Sequence, residues 1–159
     1  MTSVTVTGNT KSIPKEIEKQ LLNAMLFSTS HLENKVAEKT PVNFGILRNS
    51  ITSKSTLTRG VVFAQNPGAK YVEFVERGRR PGKFPPWGVG SSLELWVRRV
   101  LKVSGKRLRS TSYLVARKIA KKGTKAVEMF DATEKQEKNK VIRFYQRAIG
   151  QIERVTSDV

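Results

Sequence analysis

Between Gly78 and Gly90 the chain packs four glycines and three prolines into thirteen residues. Glycine loses the most conformational freedom on ordering, and proline has no backbone N–H to give, so neither a helix nor a strand runs through such a stretch. Regular structure must therefore lie before or after it. A loop of this length inside a compact protein is uncommon unless it is functional or ordered by a partner. It also opens the most cationic part of the sequence. From Arg77 to Lys125, fifteen Lys and Arg stand against one acid, Glu94, a net +14 of the +17 carried by all 159 residues. The remainder is close to neutral.

Ahead of the loop, residues 1–11 alternate Val4 and Val6 with Ser and Thr before Gly8, the pattern of a short strand or an arm. This start lacks the basic residues and apolar core of a signal peptide. Ser12 and Pro14 open a helix, because proline in the first turn has no needed donor to lose. Ile13, Ile17, Leu21, Met25, Leu32 and Val36 recur at three- and four-residue steps, with Ala24 and Ser28 alongside. They predict one buried stripe on a helix running to about Glu38, ended by Pro41. Gly45 marks a turn, and Leu47 and Ile51 point to the core. Ser50–Thr58 alternates and is rich in β-branched residues, Arg59-Gly60 turns the chain, and Val61–Ala64 returns as an antiparallel partner. Lys70–Arg77 fits one or two helical turns through Tyr71, Phe74 and Val75, with a strand as the alternative.

Beyond the loop, Ser91 and Glu94 have the spacing of a capping box. The helix that follows carries Leu93, Trp96, Val97, Val100 and Leu101 on its apolar stripe, with Arg98, Arg99 and Lys102 outside it and Gly105 at its end. A second helix over 108–122 sets Leu108, Val115 and Ile119 inward and Arg107, Arg117, Lys118 and Lys121 outward, and Gly123 stops it. A last helix, after Met129 and Phe130, repeats Val141, Tyr145, Ala148, Ile152 and Val155, a stripe able to close the core or to pack on a neighbouring subunit. These elements define an α+β fold: a long N-terminal helix, an antiparallel hairpin, then helices including a C-terminal one. Residues 1–11 are expected as an arm, 12–130 as a single domain and 131–159 as a helical extension.

The chemistry is narrow. No cysteine is present, which excludes disulfides, thiolate metal sites and a cysteine nucleophile. No phosphate-binding loop or HExxH pattern occurs, and the single histidine, His31, falls at a boundary position of the first helix. Glu73 and Glu76 are three residues apart and could hold Mg²⁺ in a nuclease, but Arg77 beside them favours ion pairing. The chain is expected to be no enzyme and to need no cofactor or metal. No run approaches the ~18 apolar residues of a membrane span, so no membrane partner is expected. Clustered cations attract phosphates or acidic protein, an attraction weakened by salt. Tyr71, Phe74, Phe84, Trp87 and Trp96 lie near those cations, as in single-strand binders, although Trp96 sits on an apolar stripe and reads as core. No base-reading motif is present.

Thr40-Pro41-Val42 with Gly45-Ile46-Leu47-Arg48-Asn49-Ser50-Ile51, followed by Tyr71-Val72-Glu73-Phe74, resembles the tail-completion or neck family of long-tailed bacteriophages. Phe84-Pro85-Pro86, Trp96-Val97-Arg98-Arg99 and the run Ala116–Lys125 are similar to that family's second half, with Phe130 near its end. The likeness covers roughly residues 36–130. Phe44 stands where the family usually has Thr, and Val75-Glu76 where it has Gly-Thr. The resemblance implies a structural virion protein, assembled in the host cytoplasm into a homo-oligomeric, hexameric ring at the head–tail junction or tail top. Its partners would be other neck and tail proteins and the genome DNA in the channel. Residues expected at partner or DNA contacts are Arg77, Arg79, Arg80, Lys83, Arg98, Arg99, Arg117 and Lys121. The alternative is a small basic protein that binds nucleic acid without sequence preference.

Overall fold

The computed structural model describes residues 15–67 and 69–157. Its elements follow as α1 (Lys15–Lys39), α2 (Ile46–Ser50), β1 (Ile51–Ser55), β2 (Gly60–Ala64), α3 (Ala69–Arg77), α4 (Ser92–Val100), α5 (Lys106–Lys122) and α6 (Met129–Ser157). This is the α+β arrangement expected, with long helices at either end and a two-stranded antiparallel sheet between. The arm of residues 1–11 and the predicted helix start at Ser12 and Pro14 lie outside the described residues. The chain packs as two compact units, one built from Met1–Val72 with Glu128–Val159, the other from Glu73–Val127. Among the described residues no helix is long and apolar enough to cross a membrane.

In the first unit, α6 lies antiparallel along α1. Thr40 Oγ1 meets Met129 Sδ at 3.2 Å, His31 Nε2 meets Glu137 Oε2 at 2.8 Å, and Tyr145 Oη meets Met25 Sδ at 3.0 Å, so residue numbers rise on one helix as they fall on the other. Within the stretch 131–159 expected as an extension, residues 131–157 thus continue a helix that begins at Met129 and is packed on α1. Apart from Met129, which is fully enclosed, the buried side chains of this helix pair are small and often hydroxylic: Ala24, Ser28, Thr29, Val36, Thr40, Thr133 and Ala148. Ser28, Thr40 and Thr133 each donate to the carbonyl four residues back, at 2.6–2.7 Å. A hydroxyl bonded within its own helix is satisfied, so it can be buried without an unpaired donor. Ile17, Leu21, Met25 and Leu32 flank this line half-buried.

The hairpin covers another side of α1. Its register pairs Ile51 with Ala64 and Ser55 with Gly60. Strand β1 is shorter than expected, ending three residues early at Ser55, because Thr56 N–H donates to Arg59 C=O at 2.8 Å and closes the turn there. Ser53 donates to Glu33 at 2.6 Å, and the Ser55 and Thr29 hydroxyls meet at 2.6 Å, fixing the sheet on the helix. Gly45 is left-handed at φ 76° and leads into α2, a single helical turn where only a backbone turn was expected. Leu47 and Ile51 are buried as predicted, and Val62 is half-buried.

In the second unit, α4 packs on α5. Val97 is fully enclosed on α4, and the buried residues of α5 form a row spaced by four: Leu108, Ser112, Ala116 and Ala120. The predicted inward residues Val115 and Ile119 are half-buried, one position off that row, because small side chains at 112, 116 and 120 occupy the centre of the contact. Trp96 is half-buried, while Val100 and Leu101 are exposed rather than buried. Helix α4 also stops earlier than expected. Leu101 N–H bonds Val97 C=O and Lys102 turns left-handed at φ 56°, whereas Gly105 heads α5.

Candidate nucleic-acid interface

The site is built on α5 by the glycine- and proline-rich loop of residues 78–90. After α3 the chain doubles back against the end of α5. Arg79 and Thr124 form one antiparallel bridge, with Thr124 N–H donating to Arg79 C=O at 2.8 Å and Arg79 N–H to Thr124 C=O at 3.2 Å. Gly82 N–H then donates to Ala120 C=O at 2.8 Å. Further on, Phe84 stacks on Tyr113 with centroids 6.2 Å apart, and Trp87 meets the same ring edge-on at 5.2 Å. As loop numbers rise from 79 to 87, their α5 partners fall from 124 to 113. The loop is therefore laid along the helix, despite lacking regular structure.

Two glycines permit the close approach. Gly123 sits at φ 70° and Gly78 at φ 71°, a region L side chains rarely adopt. A Cβ on Gly123 would collide with Arg79 C=O, and one on Gly78 with Thr124 C=O. Past the loop, the capping box forms with a shift. Ser91 Oγ accepts from Glu94 N–H at 3.2 Å as predicted, but the buried Glu94 carboxylate takes Gly90 N–H at 2.7 Å. The one acid of the cationic stretch thus fixes the loop's exit.

The expected contact residues all belong to this second unit. Arg77 ends α3 and pairs with Glu73 at 3.6 Å, both side chains largely exposed, a pair worth little in water. Arg79 is half-buried, and its guanidinium donates to Lys83 C=O at 2.8 Å, so it is a loop clasp before it is a contact. Arg80 and Lys83 are exposed on the loop, Arg98 and Arg99 on the last turn of α4, and Arg117 and Lys121 on α5. The loop hydrogen bonds bring Arg79 and Lys83 alongside the α5 end that carries Lys121; no such link ties in Arg98. Counting the whole unit, fifteen cations face three carboxylates, a net +12.

Tyr113 and Arg109 were not among the expected residues. They belong to a row, Arg109-Tyr113-Arg117-Lys121, whose members are exposed and spaced four apart, so that each is the next one's neighbour on the helix surface. That spacing is readable in the sequence; the rings that meet Tyr113 are not. Among the described residues, no three His, Asp or Glu side chains stand together as a metal site. No protein-family model matches this chain, and no curated protein or solved structure matches it either.

Proposed function

We propose that the chain is a structural, non-enzymatic subunit that assembles with copies of itself, of the neck or tail-completion kind that joins a phage head to its tail. The observation that carries the subunit part is a pair of exposed isoleucines on α6. Beside the line turned to α1, Ile142 and Ile149 stand two turns apart on one side of the helix, 43% and 50% exposed. Apolar side chains left open on a helix already packed elsewhere call for a covering surface. A ring supplies one, since each copy is covered by the next. The neck part rests on the order of motifs over residues 36–130, and the charge of Glu73–Val127 is in keeping with it. Repeated around a ring, that unit would form a cationic belt against DNA or acidic neighbouring rings.

Electron microscopy of intact particles from the phage or prophage encoding the chain tests this reading. A closed ring of this chain at the neck is the expected result, and its absence from purified virions overturns it. Arg80→Glu is the cleaner surface test, because Arg79 also holds its loop. That variant should fold and fail in head–tail joining, and a normal plaque yield would remove the loop from the contact surface. The second reading, a cellular nucleic-acid-binding protein, draws on the same cations and requires binding by a monomer or dimer with a steep salt dependence.

A further inference from the structure

We infer that the α5 row Arg109-Tyr113-Arg117-Lys121, with Phe84 stacked on its tyrosine, is a binding surface for single-stranded nucleic acid, phosphates resting on the cations and a base on Phe84. The inference stands on Glu73–Val127 alone and needs no ring. Three observations combine. Phe84 is 49% and Tyr113 40% exposed, although each already packs against a ring. Phe84 is therefore braced from beneath with part of its surface open, which suits a stacking platform. Among the described residues, no ion pair engages Arg109, Arg117 or Lys121. Lys83 adds a cation next to Phe84, its carbonyl held by Arg79.

Arg117 and Lys121 stand about 6 Å apart along the axis and Arg109 about 12 Å before Arg117, with Tyr113 between, a line of cations that suits a chain of spaced negative charges. Duplex DNA or an acidic protein would satisfy those cations equally. Neither accounts for a braced aromatic ring among them, because paired bases present no free face. Stacking on aromatics beside a cationic track is how single strands are bound without sequence preference. A backbone can thus be held by charge while any base stacks.

The test uses the full chain with a fluorescein-labelled dT oligomer, a duplex of equal length and polyglutamate, over a salt series. The single strand is expected to bind at least roughly tenfold more tightly than the duplex, and to quench tryptophan emission through Trp87. Phe84→Ala should weaken single-strand binding roughly five- to hundredfold with the salt slope unchanged, since no charge is lost. Phe84→Trp should retain binding, which separates lost stacking from a disturbed loop. The pair Arg117→Gln and Lys121→Gln should lower the log–log salt slope by about 0.7 for each charge removed. Equal binding of Phe84→Ala and the parent, or duplex bound as tightly as single strand, overturns the inference. Polyglutamate bound as tightly as the dT oligomer overturns it too, and reassigns the surface to an acidic protein.

Discussion

Single residues decide how closely the cationic loop is held to α5. Gly123 is the tightest point, with its left-handed backbone against Arg79 C=O. Gly123→Ala adds about 1–2 kcal/mol for the conformation alone, and the collision adds to that. A loss of about 2 kcal/mol or more is expected in urea denaturation, together with faster amide exchange at Arg79 and Gly82. An unchanged midpoint would mean the loop is not held as described. In the other unit, His31 Nε2–H donates to the Glu137 carboxylate at 2.8 Å, and this hydrogen bond holds the Glu137 carboxyl below its ordinary value. A carboxyl whose folded value is depressed contributes stability above its unfolded value and loses it as pH falls through the folded one. The melting temperature of Glu137→Gln should therefore lie below that of the parent at neutral pH, and the gap should close on acidification below about pH 4. A gap that stays constant through acid would remove the carboxylate from the α1–α6 contact.

At the scale of elements, what could be read from sequence was whatever had a period. Helices α1, α4 and α5 and the hairpin announce themselves through spacing, and Gly123 marks the end of α5 as expected. Helix α2 was missed because one turn is too short to show a period. The core of α1 and α6 was only half legible: a search for apolar stripes passes over Thr29, Thr40 and Thr133, whose hydroxyls are satisfied by carbonyls of their own helix. The site was legible as charge and illegible as geometry. Nothing in the composition of residues 78–90 says that Phe84 and Trp87 will converge on Tyr113, since that follows from backbone bonds made to Thr124 and Ala120. Glu94 is the element-scale control on that loop. Glu94→Ala removes the acceptor for Gly90 N–H at the start of α4, and a cost of about 1–2 kcal/mol is expected. Nuclear magnetic resonance should register it at Gly88–Ser91, and an undisturbed loop there would make the cap dispensable.

On the scale of the whole molecule, charge is concentrated in one of the two units, while exposed apolar side chains occur on both. Glu73–Val127 carries +12 of the +17, leaving the helix pair and hairpin with a modest charge that opposes association less. The exposed isoleucine pair on α6 belongs to that less charged unit. Copies are thus expected to meet through α6, while the cationic unit stays available for a polyanion. If so, association and nucleic-acid binding should respond separately to substitution. Ile142→Asp with Ile149→Asp should abolish higher-order species in light scattering, leave the melting curve of the monomer close to the parent's, and leave single-strand binding intact. Phe84→Ala should do the reverse, weakening single-strand binding with the assembled mass unchanged. Salt separates them once more, because covering apolar side chains is insensitive to moderate salt whereas phosphate binding falls steeply with it. Persistence of the assembled mass in the α6 double variant would show that copies meet through another surface, and the isoleucine pair would then have no part in assembly.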